Sequence, residues 1–124
     1  KAILIFSELL QKRYPKDAFI AHIGGDDFFV GLRNYEYQEV FNLTSDIQEE
    51  FENSAKNIYT KEDKKNGFII SKDRFTMERK FALLSVSCAI IEINFQSNIS
   101  DFDNTLNALK KASKGSNKPI SSIL

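Results

Sequence analysis

Ala18-Phe19-Ile20-Ala21-His22-Ile23-Gly24-Gly25-Asp26-Asp27-Phe28-Phe29-Val30-Gly31-Leu32 decides how this chain folds. Before the glycines, Phe19, Ala21 and Ile23 alternate with Ala18, Ile20 and His22, the period of two that a strand requires. After the acids, Phe28-Phe29-Val30-Gly31-Leu32 is a second β-prone run. Between them Gly24 and Gly25 accept the positive φ angles of a tight hairpin turn. The turn then presents two adjacent carboxylates, Asp26 and Asp27. Like charges at a hairpin tip repel and support neither strand, so a cation is the expected counterpart. A divalent metal carrying a nucleotide phosphate is the natural candidate.

Outward from the hairpin, the patterns turn helical. Ala2, Ile5, Phe6, Leu9 and Leu10 recur with helical spacing, and Ile3 and Leu4 widen the stripe. This helix should end near Lys12 or Arg13, because Pro15 disfavours helix at Tyr14. A second helix is predicted from about Tyr37 to Asn57. Val40, Leu43, Thr44, Ile47, Phe51, Ala55 and Ile58 form its buried face, and Gln48, Glu49, Glu52 and Lys56 its solvated one. Lys61 to Asn66 reads as a charged break closed by Gly67, with Lys61, Lys64 and Lys65 solvated. A peripheral hairpin follows, from Phe68-Ile69-Ile70 and from Thr76 to Phe81, around Ser71-Lys72-Asp73-Arg74.

Leu83 to Ile93 is a nearly continuous apolar run and reads as a central strand buried on both faces, with Ser85 and Ser87 beneath a helix. Ser100 or Asp101 should cap the last helix, whose stripe is Phe102, Leu106, Leu109 and Ala112 and which Gly115 stops. Pro119 to Leu124 suggests a short edge strand. The mixed order points to an α+β fold, an antiparallel sheet with helices on its faces.

Composition bounds the function. Lys and Arg total 17, as do Asp and Glu, so the net charge of zero gives no general attraction to nucleic acid or to an anionic membrane. No apolar run is long enough to span a bilayer. Cys88 lies in an apolar run and reads as a buried reduced thiol, which suits the cytoplasm. His22 is the single histidine, which excludes Ser-His and Cys-His machinery beyond it. It is expected to brace the hairpin by a hydrogen bond. Lys1 opens straight into a helical pattern without a cap, so the chain reads as one domain, residues 1–124, cut from a longer protein.

Ile23-Gly24-Gly25-Asp26-Asp27-Phe28, with strands on both sides, resembles the signature hairpin of the GGDEF family, the bacterial diguanylate cyclases and their degenerate relatives. A narrower resemblance is to the GGDEF-type domains C-terminal to EAL and CBS modules, where His-Ile-Gly-Gly-Asp-Asp-Phe is the usual form. The resemblance implies a nucleotidyl-cyclase palm (a ferredoxin-like core), here lacking its first strand. It implies Asp26 and Asp27 as catalytic residues, Asp26 as the ligand of Mg²⁺ or Mn²⁺, and Gly24, Gly25, Phe28 and Lys114 as nucleotide-binding residues. GTP or cyclic di-GMP would be the ligand, a homodimer the working form, and EAL, CBS or sensory domains the covalent neighbours.

Four departures point away from activity. The opening strand with its metal-binding Asp is absent from this chain. Asp27 stands where Glu is usual. Ala112-Ser113 stands where an Ala-Lys pair is usual, with Lys114 one place on. The Arg-x-x-Asp inhibition motif falls on Pro15 to Ala18. The resemblance therefore implies a degenerate regulatory domain of cyclic di-GMP signalling. The alternatives are a fragment of an active cyclase condensing two GTP, and a dimerisation or docking module.

Overall fold

Leu9, Leu10, Tyr14, Ile47, Phe51 and Ala55 are the centre of the molecule. The computed structural model describes residues 2–66, 68–72, 75, 77–82 and 84–124. Gly67, Asp73, Arg74, Thr76 and Leu83, which the sequence reading draws on, lie outside them, as does Lys1. The first helix, α1 (Ala2–Arg13), stops as expected ahead of Pro15. Its buried side is Leu9 and Leu10, with Ala2, Ile5 and Phe6 packed beside them. Ile3 and Leu4 do not widen the stripe; both are exposed. Helix α2 (Tyr37–Ala55) crosses α1 and continues as a 3₁₀ turn, Lys56–Ile58. Tyr14 and Thr44 join the two helices through a buried hydroxyl pair 2.8 Å apart. At the surface Arg13 Nε donates to Glu50 Oε2 at 2.6 Å.

The hairpin lies against this pair as strands β1 (Phe19–Gly24) and β2 (Asp27–Gly31). Ile20 faces Val30 and His22 faces Phe28 across the ribbon. Ile20, Phe28 and Val30 turn toward the helices, whereas Phe19 and Phe29 pack edge-to-face on the outer side, centroids 6.3 Å apart. That is the alternation of a half-buried ribbon.

Lys61 to Asn66 is a helix, α3 (Lys61–Asn66), rather than a break. Thr60 supplies the missing cap, its Oγ1 accepting the Asp63 backbone N–H at 3.1 Å. Strands β3 (Phe68–Lys72) and β4 (Glu78–Ala82) form the expected antiparallel hairpin.

Among the described residues the long central strand is not there. Only β5 (Ala89–Glu92) is regular, half-buried rather than sealed on both faces, and its partner is β6 (Ile120–Ile123), which runs parallel to it. The backbone before β5 finds other partners instead of a ladder. Leu84 N–H donates to the Tyr59 hydroxyl at 2.7 Å, and the Val86 carbonyl accepts from Gln48 Nε2 at 2.7 Å. Ser85 and Ser87 are exposed, and Val86 packs toward the core. Between β5 and β6 lies α4 (Phe102–Ser113), the helical crossover that parallel strands need.

Asp101 stands at the N-cap of α4, as expected, though its side chain makes no cap bond, and the 3₁₀ turn before it has a cap of its own. Asn98 Oδ1 accepts from Ser100 N at 3.2 Å, ahead of a 3₁₀ turn at Ile99–Asp101. Its buried residues are Leu109 and Ser113, while Ala112 is exposed. Gly115, at φ 81°, takes the chain out of the helix as expected. Among the described residues the strands pair as three separate two-stranded sheets. The fold is α+β, but no continuous antiparallel sheet joins the hairpin to β5.

Gln48 is the clearest reversal. Expected on the solvated face of α2, it is 0% exposed. Segments 84–88 and 113–118 cover that flank, and Gln48 Nε2 donates to carbonyls in both, Val86 at 2.7 Å and Ser116 at 2.9 Å.

Candidate functional site

The tip of the hairpin is a two-residue turn, Gly25-Asp26, closed by the Gly24–Asp27 pair. Gly24 at φ 155° and Gly25 at φ 53° take angles that side chains rarely adopt. A Cβ at either would meet nothing within 4 Å, so the backbone here is open to close approach by a ligand. The register slips between His22 and Gly24, a bulge at Ile23 that twists the tip out of the plain ladder.

His22 does what the sequence suggests. Its ring Nε2–H donates to the Gly25 carbonyl at 2.8 Å, and it stacks on Phe28 with centroids 4.5 Å apart and planes within 8°. Phe28 in turn meets Phe6 edge-to-face at 5.1 Å. The ring of Phe28 therefore anchors the turn to the helices.

Asp26 and Asp27 are both exposed. Asp26 sits on the turn itself and Asp27 at the head of β2. A cation meets Asp27: Lys110 Nζ, from the third turn of α4, lies 3.5 Å from its Oδ2. Both side chains are about half exposed, 50% and 56%, so the pair contributes no more than about 1 kcal/mol. Lys114, the lysine expected at this site, stands one turn further along the same helical face at the C-cap of α4. In the sequence Lys110, Lys111, Lys114 and Lys118 read first as helix-end charge and second as phosphate contacts; of these it is Lys110 that reaches the tip. The i, i+4 spacing of Lys110 and Lys114 was the available signal, but placing either beside Asp27 requires the docking angle of α4. Lys118 is engaged elsewhere, donating to Ser45 Oγ at 3.0 Å.

Among the described residues no three His, Cys, Asp or Glu side chains gather as a metal-ligand set. Asp26 and Asp27 are two oxygen donors, one of them already beside an ammonium. That set fits a Mg²⁺ arriving on a nucleotide, which needs one or two carboxylates and completes its shell with phosphate and water. It does not fit a permanently bound ion.

Cys88 lies apart from the tip. Burial, and secondarily Glu52, pushes its thiol up to about 11, so it is protonated at neutral pH and inert as a nucleophile. In the folded protein at pH 8 it is expected to react with a disulfide reagent on the order of a hundredfold slower than in urea. Equal rates in a stopped-flow assay would contradict its burial.

No helix among the described residues is long and apolar enough to cross a membrane. Comparison with protein-family models, with curated proteins and with solved structures finds no match in any of the three.

Proposed function

We propose that this chain is a GGDEF-type domain of bacterial cyclic di-GMP signalling, degenerate and regulatory, whose hairpin tip binds Mg²⁺–GTP weakly or not at all. The observation that carries this reading is the open, glycine-pinched turn with Asp26 and Asp27 at its tip and Lys110 alongside. The glycines serve the turn by their positive φ; the adjacent like charges support neither strand and favour a cationic ligand. When bound, Mg²⁺ or Mn²⁺ would neutralise triphosphate charge; Asp26 and Asp27 would hold it, and Lys110 would face the phosphates as a compact cation. The same proposal treats the β1–β2 ribbon and the β5–β6 pair as parts of a nucleotidyl-cyclase palm. EAL, CBS or sensory domains are the partners it would control, in the cytoplasm.

Regulation rather than turnover is favoured by two departures from the pattern the resemblance implies: Asp27 stands where Glu is usual, and Ser113 where Lys is usual. Isothermal titration with GTP and Mg²⁺ tests the reading, with Asp26→Ala as control. The expected result is weak binding that the substitution abolishes, without product. Formation of cyclic di-GMP would replace the regulatory reading with the cyclase one. Weak binding unchanged in Asp26→Ala would remove the hairpin from the site.

A further inference from the structure

The open end of the β1–β2 ribbon, opposite the turn, carries a cleft that the nucleotide reading leaves unused. Pro15, Leu32, Val40 and Leu43 line it with apolar side chains, and Tyr35 and Glu39 complete it. Asn34, at φ 62°, makes the left-handed turn between Leu32 and Tyr35, a conformation asparagine tolerates better than most residues. Glu39 stands in the first turn of α2 and is exposed.

The ring of Tyr35 is held by a bond of its own: its hydroxyl donates to Asp17 Oδ1 at 2.9 Å. That bond, then desolvation, then the charges of Asp17 and Glu39 raise the hydroxyl above its ordinary pKa. The phenol therefore stays protonated at neutral pH, and both carboxylates act on the one ring. No cation answers them. Among the described residues neither Asp17 nor Glu39 is in an ion pair, although Lys16 and Arg33 are close in sequence.

These side chains select what can enter. Proline, leucine and valine offer no hydrogen-bonding group, Tyr35 has committed its hydrogen to Asp17, and Glu39 only accepts. A fitting occupant brings donors without acceptors, a positive head and an apolar body. That excludes carboxylates and phosphates and leaves lysine and arginine among the side chains. Of the two, the planar guanidinium lies flat on a tyrosine face and takes a carboxylate bidentately. The cleft holds about 160 Å³, below the roughly 300–1,000 Å³ of pockets that bury a free ligand. The cation therefore arrives as one side chain of something larger.

We propose that this cleft docks an arginine of a partner protein segment, its aliphatic stem between Leu32, Val40 and Leu43 and its guanidinium on Tyr35 and Glu39. The site lies away from Asp26 and Asp27 and does not depend on the nucleotide reading. The probe is a capped tripeptide, acetyl-Leu-Arg-Leu-amide, titrated into the isotope-labelled full chain and followed by amide chemical shifts. Saturable shifts are expected at Tyr35, Glu39 and Val40 and not at the turn. Glu39→Gln, a change at an exposed position, should weaken binding about threefold to fivefold, the scale of a solvent-exposed ion pair. Citrulline in place of the peptide's arginine keeps the shape without the charge and should cost as much. Together the two changes should cost little more than either alone, since both remove the same contact. Tyr35→Leu, which keeps the apolar wall but not the ring, should weaken binding by a similar factor. The proposal is overturned by the absence of saturable shifts, by shifts centred on another surface, or by Glu39→Gln binding as the wild type does. Fully additive losses overturn it too, as does a lysine peptide that binds as tightly as the arginine one.

Discussion

Replacing Phe51 by alanine is expected to cost about 3–5 kcal/mol of stability, the usual range for deleting a buried ring. Phe51 is 5% exposed and meets Phe6 edge-to-face at 5.2 Å. Phe6 then meets Phe28 at 5.1 Å. Three rings in contact thus tie α2 to α1 and α1 to the hairpin. Such pairs add about 0.5–1.5 kcal/mol beyond the area they bury. Since a domain of ordinary stability has only about 5–15 kcal/mol to lose, the variant should sit close to unfolding. Urea denaturation measures the loss, and amide exchange should show weaker protection in β1 and β2 as well as in α2. Phe29→Ala, on the outer face of the ribbon, is the comparison and should cost no more than about 1 kcal/mol. A Phe51→Ala loss as small as that would mean the three-ring chain does not hold the molecule together.

Gln48→Glu is expected to be as damaging, and its cost should depend on pH. Gln48 is fully buried with Nε2 donating to two carbonyls. A carboxylate there turns a donor into a charge facing two acceptors. An uncompensated buried charge costs about 3–5 kcal/mol. Burial and the facing carbonyls favour the protonated form, so the introduced carboxyl has a higher pKa folded than unfolded. The folded state then binds more protons, and stability relative to wild type falls as pH rises above about 4.3, the unfolded value. The slope approaches about 1.4 kcal/mol per pH unit until the folded carboxyl itself ionises. Near pH 4 the variant should recover much of its loss, because the protonated acid can donate to one carbonyl. Gln48→Met removes the same bonds without a charge, and its loss should be flat with pH. Denaturation at several pH values decides. A pH-independent cost for Gln48→Glu would show that position 48 is open to water.

What the sequence disclosed followed the range of the forces involved. The hairpin, the stop of α1 before Pro15 and the core stripe of α2 are local or periodic signals, and they came through. So did His22, whose partner Gly25 is three residues away. The largest reversals involve segments distant in sequence. Gln48 reads as solvent-facing until residues 84–88 and 113–118 fold over it. The run from Leu83 to Ile93 reads as a central strand because β-branched residues are the same whether a neighbouring strand exists or not. Only the ladder decides, and here the ladder is four residues long. In the candidate site the turn was legible to the residue, whereas which of the lysines at the end of α4 meets Asp27 was not. A helix pattern shows which residues share a face but not which face meets Asp27.

Gln48 also sets an order of events. Its two acceptors lie 38 and 68 residues further along the chain. Neither bond can close until the last third of the molecule has docked, and contacts of such separation slow folding. While the chain is still being synthesised, α1, the hairpin and α2 can collapse onto one another but must wait, with the Gln48 amide in water, for Val86 and then Ser116 to emerge.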